Sequence, residues 1–327
     1  MSESKGVEAV LGVDVSKGKF NVALLRAKKY RHKSFPNNSG GFTKLDEWLR
    51  RQGVEEVHAC MEATGVYGEE LAEYLYECGH RVSVVNPARI KGFAQSELVR
   101  TKTDKVDASV IARFCVAIGP EVWTPESNNV RELRSLARRV DALVKMKNQE
   151  SNRLDVSSTM VKADIEEHIE YLDKQIDVIK QRIKTHIDQN PDLKEKRKLL
   201  ESIPGVGEAT IRLVLSHFAD IQKFSSAKEL ASFLGIAPTE RSSGSSVRGG
   251  RKMSKVGRSS LRKAFYMPAL SAMQYNPIII RMKRRLTEAG KPGMVIVGAA
   301  MRKLVHLIYG VLKNEIPFDS DYVAKYH

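Results

Sequence analysis

The chain has 327 residues, 42% of them hydrophobic, and carries 54 Lys and Arg against 39 Asp and Glu, a net charge of +15. That length accommodates two or three domains, and that apolar content excludes a disordered chain. A positive excess of this size points to a polyanionic partner, most simply nucleic acid.

The apolar run Ala9-Val10-Leu11-Gly12-Val13 predicts a strand that ends at Asp14. Residues 20–25 and 31–35 predict two more strands, and residues 40–51 an amphipathic helix. Val57-His58-Ala59-Cys60-Met61 predicts a strand that ends at Glu62, before the turn signal Thr64-Gly65. A helix over 67–78 and a strand over 81–85 follow, closed by Asn86-Pro87. Thr103-Asp104-Lys105-Val106-Asp107 reads as a helix start, and its three-residue spacing sets both carboxylates on one helix face. The order β-β-β-α-β-α-β-α suits an RNase H-like α/β domain, expected over residues 1–125.

Two acids at strand ends and two on a helix face can converge at one edge of such a sheet. Taken singly, each has a duller use. Asp14 can cap the turn with Ser16 and Gly18, Glu62 can be a solvated strand end, and Asp104 and Asp107 suit the first turn of a helix. Taken together they repel, raising one another's pKa. Mg²⁺ among the oxygens relieves that conflict, and metals held this way activate a nucleophile and stabilise a leaving oxygen in phosphoryl transfer. Asp14, Glu62, Asp104 and Asp107 are therefore the candidate metal ligands, with Mg²⁺ the expected cofactor.

Strand signals stop after about residue 125. Ile165, Ile169, Leu172, Ile176, Ile179 and Ile183 form a heptad stripe, and Val130, Leu133, Leu136, Val140 and Leu143 form another. Two long helices with a joint near 155–163 are expected within a coiled-coil segment over 126–194. The stripe serves either a hairpin packed on itself or a coiled coil joining protomers.

Residues 195–327 read as helical and basic. Ser202-Ile203-Pro204-Gly205-Val206-Gly207 between two apolar helical patterns suggests a helix-hairpin-helix, whose Gly205 and Gly207 can turn backbone N–H groups toward a phosphate or simply make a tight turn. The stretch 241–263 holds eight Lys and Arg and no acid. Its Ser/Gly-rich first half is expected to be a loop able to approach a nucleic-acid backbone, with Arg241, Arg248, Arg251, Lys252, Lys255 and Arg258 as phosphate partners. Such cations also lower the pKa of a nearby hydroxyl, a setting for a serine nucleophile. On composition, Ser242, Ser243, Ser245 and Ser246 are equal candidates.

Cys60, Cys78 and Cys115 are widely spaced and form no CxxC or Cys/His cluster, so neither a zinc site nor a disulfide framework is expected. They fit small core residues in a reducing compartment. The N-terminus lacks a signal pattern, and the apolar stretch 293–312 is broken by Arg302, Lys303 and His306, as in a core helix. A cytoplasmic protein with no membrane partner is expected.

Seven motifs occur in order: Gly12-Val13-Asp14-Val15-Ser16, Glu62-Ala63-Thr64-Gly65, Asn86-Pro87, Lys102-Thr103-Asp104-Lys105-Val106-Asp107-Ala108, Ile203-Pro204-Gly205-Val206-Gly207, Ser243-Gly244-Ser245-Ser246-Val247-Arg248-Gly249 and Met301-Arg302-Lys303. In these the chain resembles, nearly end to end, the DEDD transposases of bacterial insertion sequences, now described as bridge-RNA-guided DNA recombinases. The resemblance implies a RuvC-like N-terminal domain, a coiled-coil insertion and a C-terminal transposase domain. It implies Asp14, Glu62, Asp104 and Asp107 as the metal-binding tetrad and selects Ser243 as the nucleophile joined to DNA. It further implies a homotetramer (a dimer of dimers), sites shared between protomers, and a structured guide RNA that pairs with donor and target DNA. Localisation would then be cytoplasmic, at the nucleoid during action. Two other readings stay open: a RuvC-like Holliday-junction endonuclease that uses water, and a non-catalytic nucleic-acid-binding protein.

Overall fold

The computed structural model describes residues 9–63, 65–98, 103–243, 247–254, 256–257 and 259–320, with backbone alone for Val66, 240–243, 247–252 and Ser260. The chain divides after Pro125 into two compact units.

In the first unit, β1 (Ala9–Val15), β2 (Lys19–Arg26) and β3 (Lys29–Pro36) form an antiparallel meander. Helix α1 (Ser39–Arg51) follows, capped by the Asn38 side chain, which accepts from Gly41 N. Next come β4 (His58–Glu62), α2 (Glu69–Glu77) and β5 (Arg81–Val85), with β4 parallel to both β1 and β5. The five-stranded sheet runs β3-β2-β1-β4-β5, a mixed arrangement compatible with an RNase H-like domain. Asn86-Pro87 does more than close β5: Asn86 Oδ1 accepts from Ala88 N and Pro87 opens α3 (Pro87–Ser96), a helix absent from the sequence expectation. Helix α4 (Asp104–Ile118) ends the unit, capped by Thr103, whose side chain accepts from Val106 N.

The pleat sends alternate strand residues to opposite cores. Leu11, Val13, Ala59 and Met61 pack with Leu45 and Leu49 of α1 and Leu71 and Leu75 of α2. Val10 and Cys60 pack on the opposite side with Ile111, Ala112 and Cys115 of α4. Cys60 and Cys115 are buried free thiols as expected, whereas Cys78, at the end of α2, is exposed.

In the second unit, α5 (Asn128–Val156) and α6 (Thr159–Gln189) meet at a two-residue joint. Their cross-pairs fall as they climb: Glu150 with His168, Lys147 with Asp173, Glu132 with His186. That order is an antiparallel hairpin. Leu133, Val140 and Leu143 bury against Leu172, Ile176, Ile179 and Ile183, so this part of the stripe packs within the chain. Ile165 and Ile169, nearer the joint, are half-buried.

Helices α7 (Pro191–Glu201), α8 (Glu208–Phe218) and α9 (Ala227–Phe233) follow, then strands β6 (Pro238–Ser243) and β7 (Val247–Met253). Helices α10 (Ser259–Ala264), α11 (Tyr266–Tyr275), α12 (Pro277–Glu288) and α13 (Gly293–Asn314) complete the unit. One apolar core runs from Val130 to Leu312 through the hairpin and these helices. Helix α13 is long and apolar enough to cross a membrane, but half of its apolar window is buried, with Leu304, Val305 and Ile308 in the core.

Candidate active site and nucleic-acid interface

Gly12 sets the geometry of the acidic edge. A Cβ there would lie 2.0 Å from Ala108 O and 2.5 Å from Ala112 N, so α4 rests directly on the backbone of β1. Asp14, two residues along the strand, points to the same side. Asp104 stands one helical turn before Ala108, and Asp107 one turn before the buried Ile111. Both therefore lie on the sheet-facing side of α4, at its N-terminal end. On β4, Cys60 pairs with Gly12 and Met61 with Val13, so one further step sets Glu62 abreast of Asp14. The two acids end neighbouring parallel strands on one face.

Asp104 is tied to this edge by β2. Lys19 Nζ donates to Asp104 Oδ2 at 2.7 Å, and Asn21 Nδ2 donates to the same oxygen at 3.2 Å. Asn21 is the ladder partner of Asp14. The Lys19 hydrogen bond, then its charge, hold the Asp104 carboxyl below the usual carboxylate range. Lys19 is raised in turn, by Asp104 first and more weakly by the charge of Asp14. The Cys60 thiol beneath is pushed up by its hydrogen bond to Cys115 and by burial, with the Glu62 charge among the smaller influences.

The donors on this edge are carboxylate oxygens, the type that Mg²⁺ takes. Among the described residues, however, no group of three or more His, Cys, Asp or Glu is arranged to hold a metal ion. Asp104 is instead paired with the Lys19 ammonium, which neutralises it as a cation would. Sequence reasoning missed Lys19 and Asn21. The signal was available, since both follow Asp14 across the first hairpin.

The basic stretch is partly strand, a correction to the expected loop. β6 and β7 pair antiparallel, with Ser243 opposite Val247, Ser242 opposite Arg248 and Arg241 opposite Gly249, and a register shift between Thr239 and Arg241. Thr239 and Val247 favour strand, and a short Gly/Ser segment between two runs is a hairpin signal. Ser243 is thus the last β6 residue before the hairpin tip. The backbone of Arg251 and Lys252 continues β7. Ser245, Ser246, Lys255 and Arg258 lie outside the described residues.

The turn between α7 and α8 contains Gly205 at φ +91°, where a Cβ would lie 2.6 Å from Ala272 Cα. Glycine is required there by close packing on α11 as well as by φ. Gly207 precedes α8 in open space. The first turn of α8 carries Glu208, which accepts from Arg197 at 2.6 Å, so a carboxylate already sits at that helix end.

Residues 11–157 match the DEDD transposase family of IS110 type, and residues 197–283 match the transposase IS116/IS110/IS902 family. The chain is similar to the pilin gene-inverting protein of Moraxella bovis, 33% identical over 314 residues that span 95% of this chain and 97% of that protein. The pilin gene-inverting protein of Moraxella lacunata is similar to the same extent. The transposase for insertion sequence element IS1328 of Yersinia enterocolitica is 23% identical over 236 residues, 62% of this chain and 67% of that protein.

Proposed function

Since the chain belongs to the IS110-type family of DEDD transposases, we propose that it recombines DNA through a covalent link to Ser243, assisted by divalent metal at Asp14, Glu62, Asp104 and Asp107. The observation that carries the reading is the shared edge. Asp14 and Glu62 end neighbouring parallel strands on one face, and Asp104 is held to that edge through Lys19 and Asn21. A cation bound by these carboxylates, Mg²⁺ by preference, supplies charge stabilisation to a scissile phosphate. Lys19 pairs with Asp104 until then.

Ser243 Oγ attacks phosphorus; the bond from phosphorus to the leaving strand oxygen breaks, and that oxygen takes the proton. A hydroxyl of the exchanged strand then attacks the phosphoserine, and the serine oxygen leaves and regains its proton. The phosphodiester energy is conserved in the link, so no nucleoside triphosphate is consumed. Arg241, Arg248, Arg251, Lys252, Lys255 and Arg258 neutralise neighbouring phosphates, with Gly205 and Gly207 contributing backbone N–H contacts. A structured guide RNA selects donor and target DNA, and a tetramer brings the two together. The Moraxella relatives favour a second outcome of the same chemistry, inversion of a DNA segment. Insertion and inversion differ in how two sites are placed and oriented, not in the bonds exchanged.

The test is a nicked DNA substrate that traps the intermediate, run on a denaturing gel with labelled DNA. A protease-sensitive, slow-migrating band is expected with wild type and is expected to vanish with Ser243→Ala. Cleavage by Ser243→Ala with no adduct from wild type would favour the water-using endonuclease.

A further inference from the structure

The positive charge of this protein is concentrated to an unusual degree. Between Arg241 and Asn314 there are sixteen Lys and Arg and a single acid, Glu288. That stretch alone carries a net charge equal to that of the whole chain, so the remainder is balanced. Half of these cations lie beyond the serine hairpin and its flank, on α12, α13 and the turn between them.

Helix α12 is anchored at its start. Asn276 is fully buried, accepts from Ile278 N and Ile279 N, and donates to Pro204 O at 3.3 Å. Ile279 is buried, which turns the basic face outward. A cleft of about 330 Å³ opens between α12 and α13, lined by Ile278, Arg281, Met282, Arg285 and Lys303. Its lining holds three cations and no carboxylate. Arg281 donates to Ser320 O at 3.1 Å, which orients its guanidinium. Among the described residues, no acid pairs with Arg285 or Lys303.

Several cations elsewhere in the unit are paired. Arg197 contacts Asp188, Glu201 and Glu208; Lys147 contacts Asp173; Arg134 contacts Glu126. Beside Lys303, Arg302 Nε is buried with no hydrogen-bond partner among the described residues. His306, one turn further, is held below its ordinary pKa by burial first and then by Arg302, Lys303 and Lys228. A solvated face would spread its charges apart. Here they converge on a concavity, and a bound anion would relieve their repulsion.

We propose that the α12–α13 cleft seats a backbone phosphate of duplex DNA, held by Arg281, Arg285 and Lys303. The choice of DNA as the polyanion rests on the recombinase reading. The apolar floor of Ile278 and Met282 fits the sugar beside a phosphate, and guanidinium groups pair with two oxygens at once. Its lining includes no residue of the serine hairpin, and its role is to position DNA, not to exchange bonds.

The test is the salt dependence of duplex DNA binding by the full chain, for wild type, Arg285→Gln and the double variant Arg285→Gln with Lys303→Gln. Neutralising one phosphate contributes about 0.9 to the log–log slope, so the double variant should lose about 0.9. Arg285 is exposed, so its single variant should melt as wild type and still lose a measurable part of that slope. An unchanged slope in both variants overturns the inference. A slope that falls on structured RNA alone overturns the assignment to DNA. Wild type that binds no duplex DNA at any salt overturns both this inference and the recombinase reading. A lowered slope with no serine adduct from wild type upholds the cleft and overturns only the covalent mechanism.

Discussion

Gly12 of β1 and Ala108 of α4 are in backbone contact: a Cβ on Gly12 would lie 2.0 Å from the Ala108 carbonyl oxygen. The acidic edge depends on this contact, because Asp14 is two residues beyond one partner and Asp104 one turn before the other. Gly12→Ala must therefore push helix and strand apart. A destabilisation of about 1–3 kcal/mol is expected, as for other overpacked cores. Both tryptophans, Trp48 and Trp123, lie in the first unit, so denaturation followed by their fluorescence reads that unit alone. A variant as stable as wild type would mean that α4 can shift without cost.

Asp14→Asn and Asp104→Asn should abolish recombination while leaving folding and nucleic-acid binding intact. Asp14→Asn relieves a crowded edge and should not melt below wild type without metal, whereas Asp104→Asn also loses its ion pair with Lys19 and should melt slightly lower. Mg²⁺ should raise the melting temperature of wild type and not of the variants. Recombination at the wild-type rate in either variant would rule out the metal-site assignment.

The Lys19–Asp104 pair makes a pH prediction. Asp104 is held below its ordinary 3.8, so its contribution is present above that value and lost as pH falls through the lower folded one. Lys19 is raised above 10.5, so its contribution is present below that value and lost as pH rises through the higher folded one. Both side chains are about half exposed, 55% and 53%, so solvent screens the pair and the effect is small. Lys19→Met should lower the melting temperature slightly and evenly across neutral pH, with the gap closing below pH 3.8. A gap that persists in stronger acid would assign the loss to packing. With no ammonium on Asp104, this variant should also respond to Mg²⁺ at a lower concentration than wild type.

Leu172 and Ile179 lie inside the α5–α6 hairpin, 3% and 9% exposed. Leu172→Asp with Ile179→Asp buries two unpaired carboxylates and forfeits about 1.5–3 kcal/mol of apolar burial at each position. A marked fall in melting temperature is expected. Light scattering before melting separates the two uses of the stripe. An unchanged mass leaves it a hairpin core, while a lower mass means that it also joins protomers. Ile165→Asp with Ile169→Asp, at half-buried positions near the joint, should cost less stability and gives the same readout on mass.

Periodicity was enough for much of this protein. Short continuous apolar runs marked the strands that carry Asp14 and Glu62 at their ends, and the heptad spacing of Leu172, Ile176 and Ile179 marked α6, because local burial patterns are written in local sequence. The spacing of Asp104 and Asp107 likewise set both on one face of α4. Asn86-Pro87 carried a helix start that a strand-end reading hid. The Ser/Gly/Arg stretch concealed a β-hairpin, because its Ser, Gly and Arg content outweighed the strand signals of Thr239 and Val247, and the pairing of Ser243 with Val247 rests on backbone bonds. Tertiary structure alone decided that Lys19 would reach Asp104 across 85 residues and that α4 would rest on Gly12. It alone brought Lys303 to Arg281 and Arg285. Those relations join elements far apart in the chain, and only packing of the whole domain selects which charged ends meet.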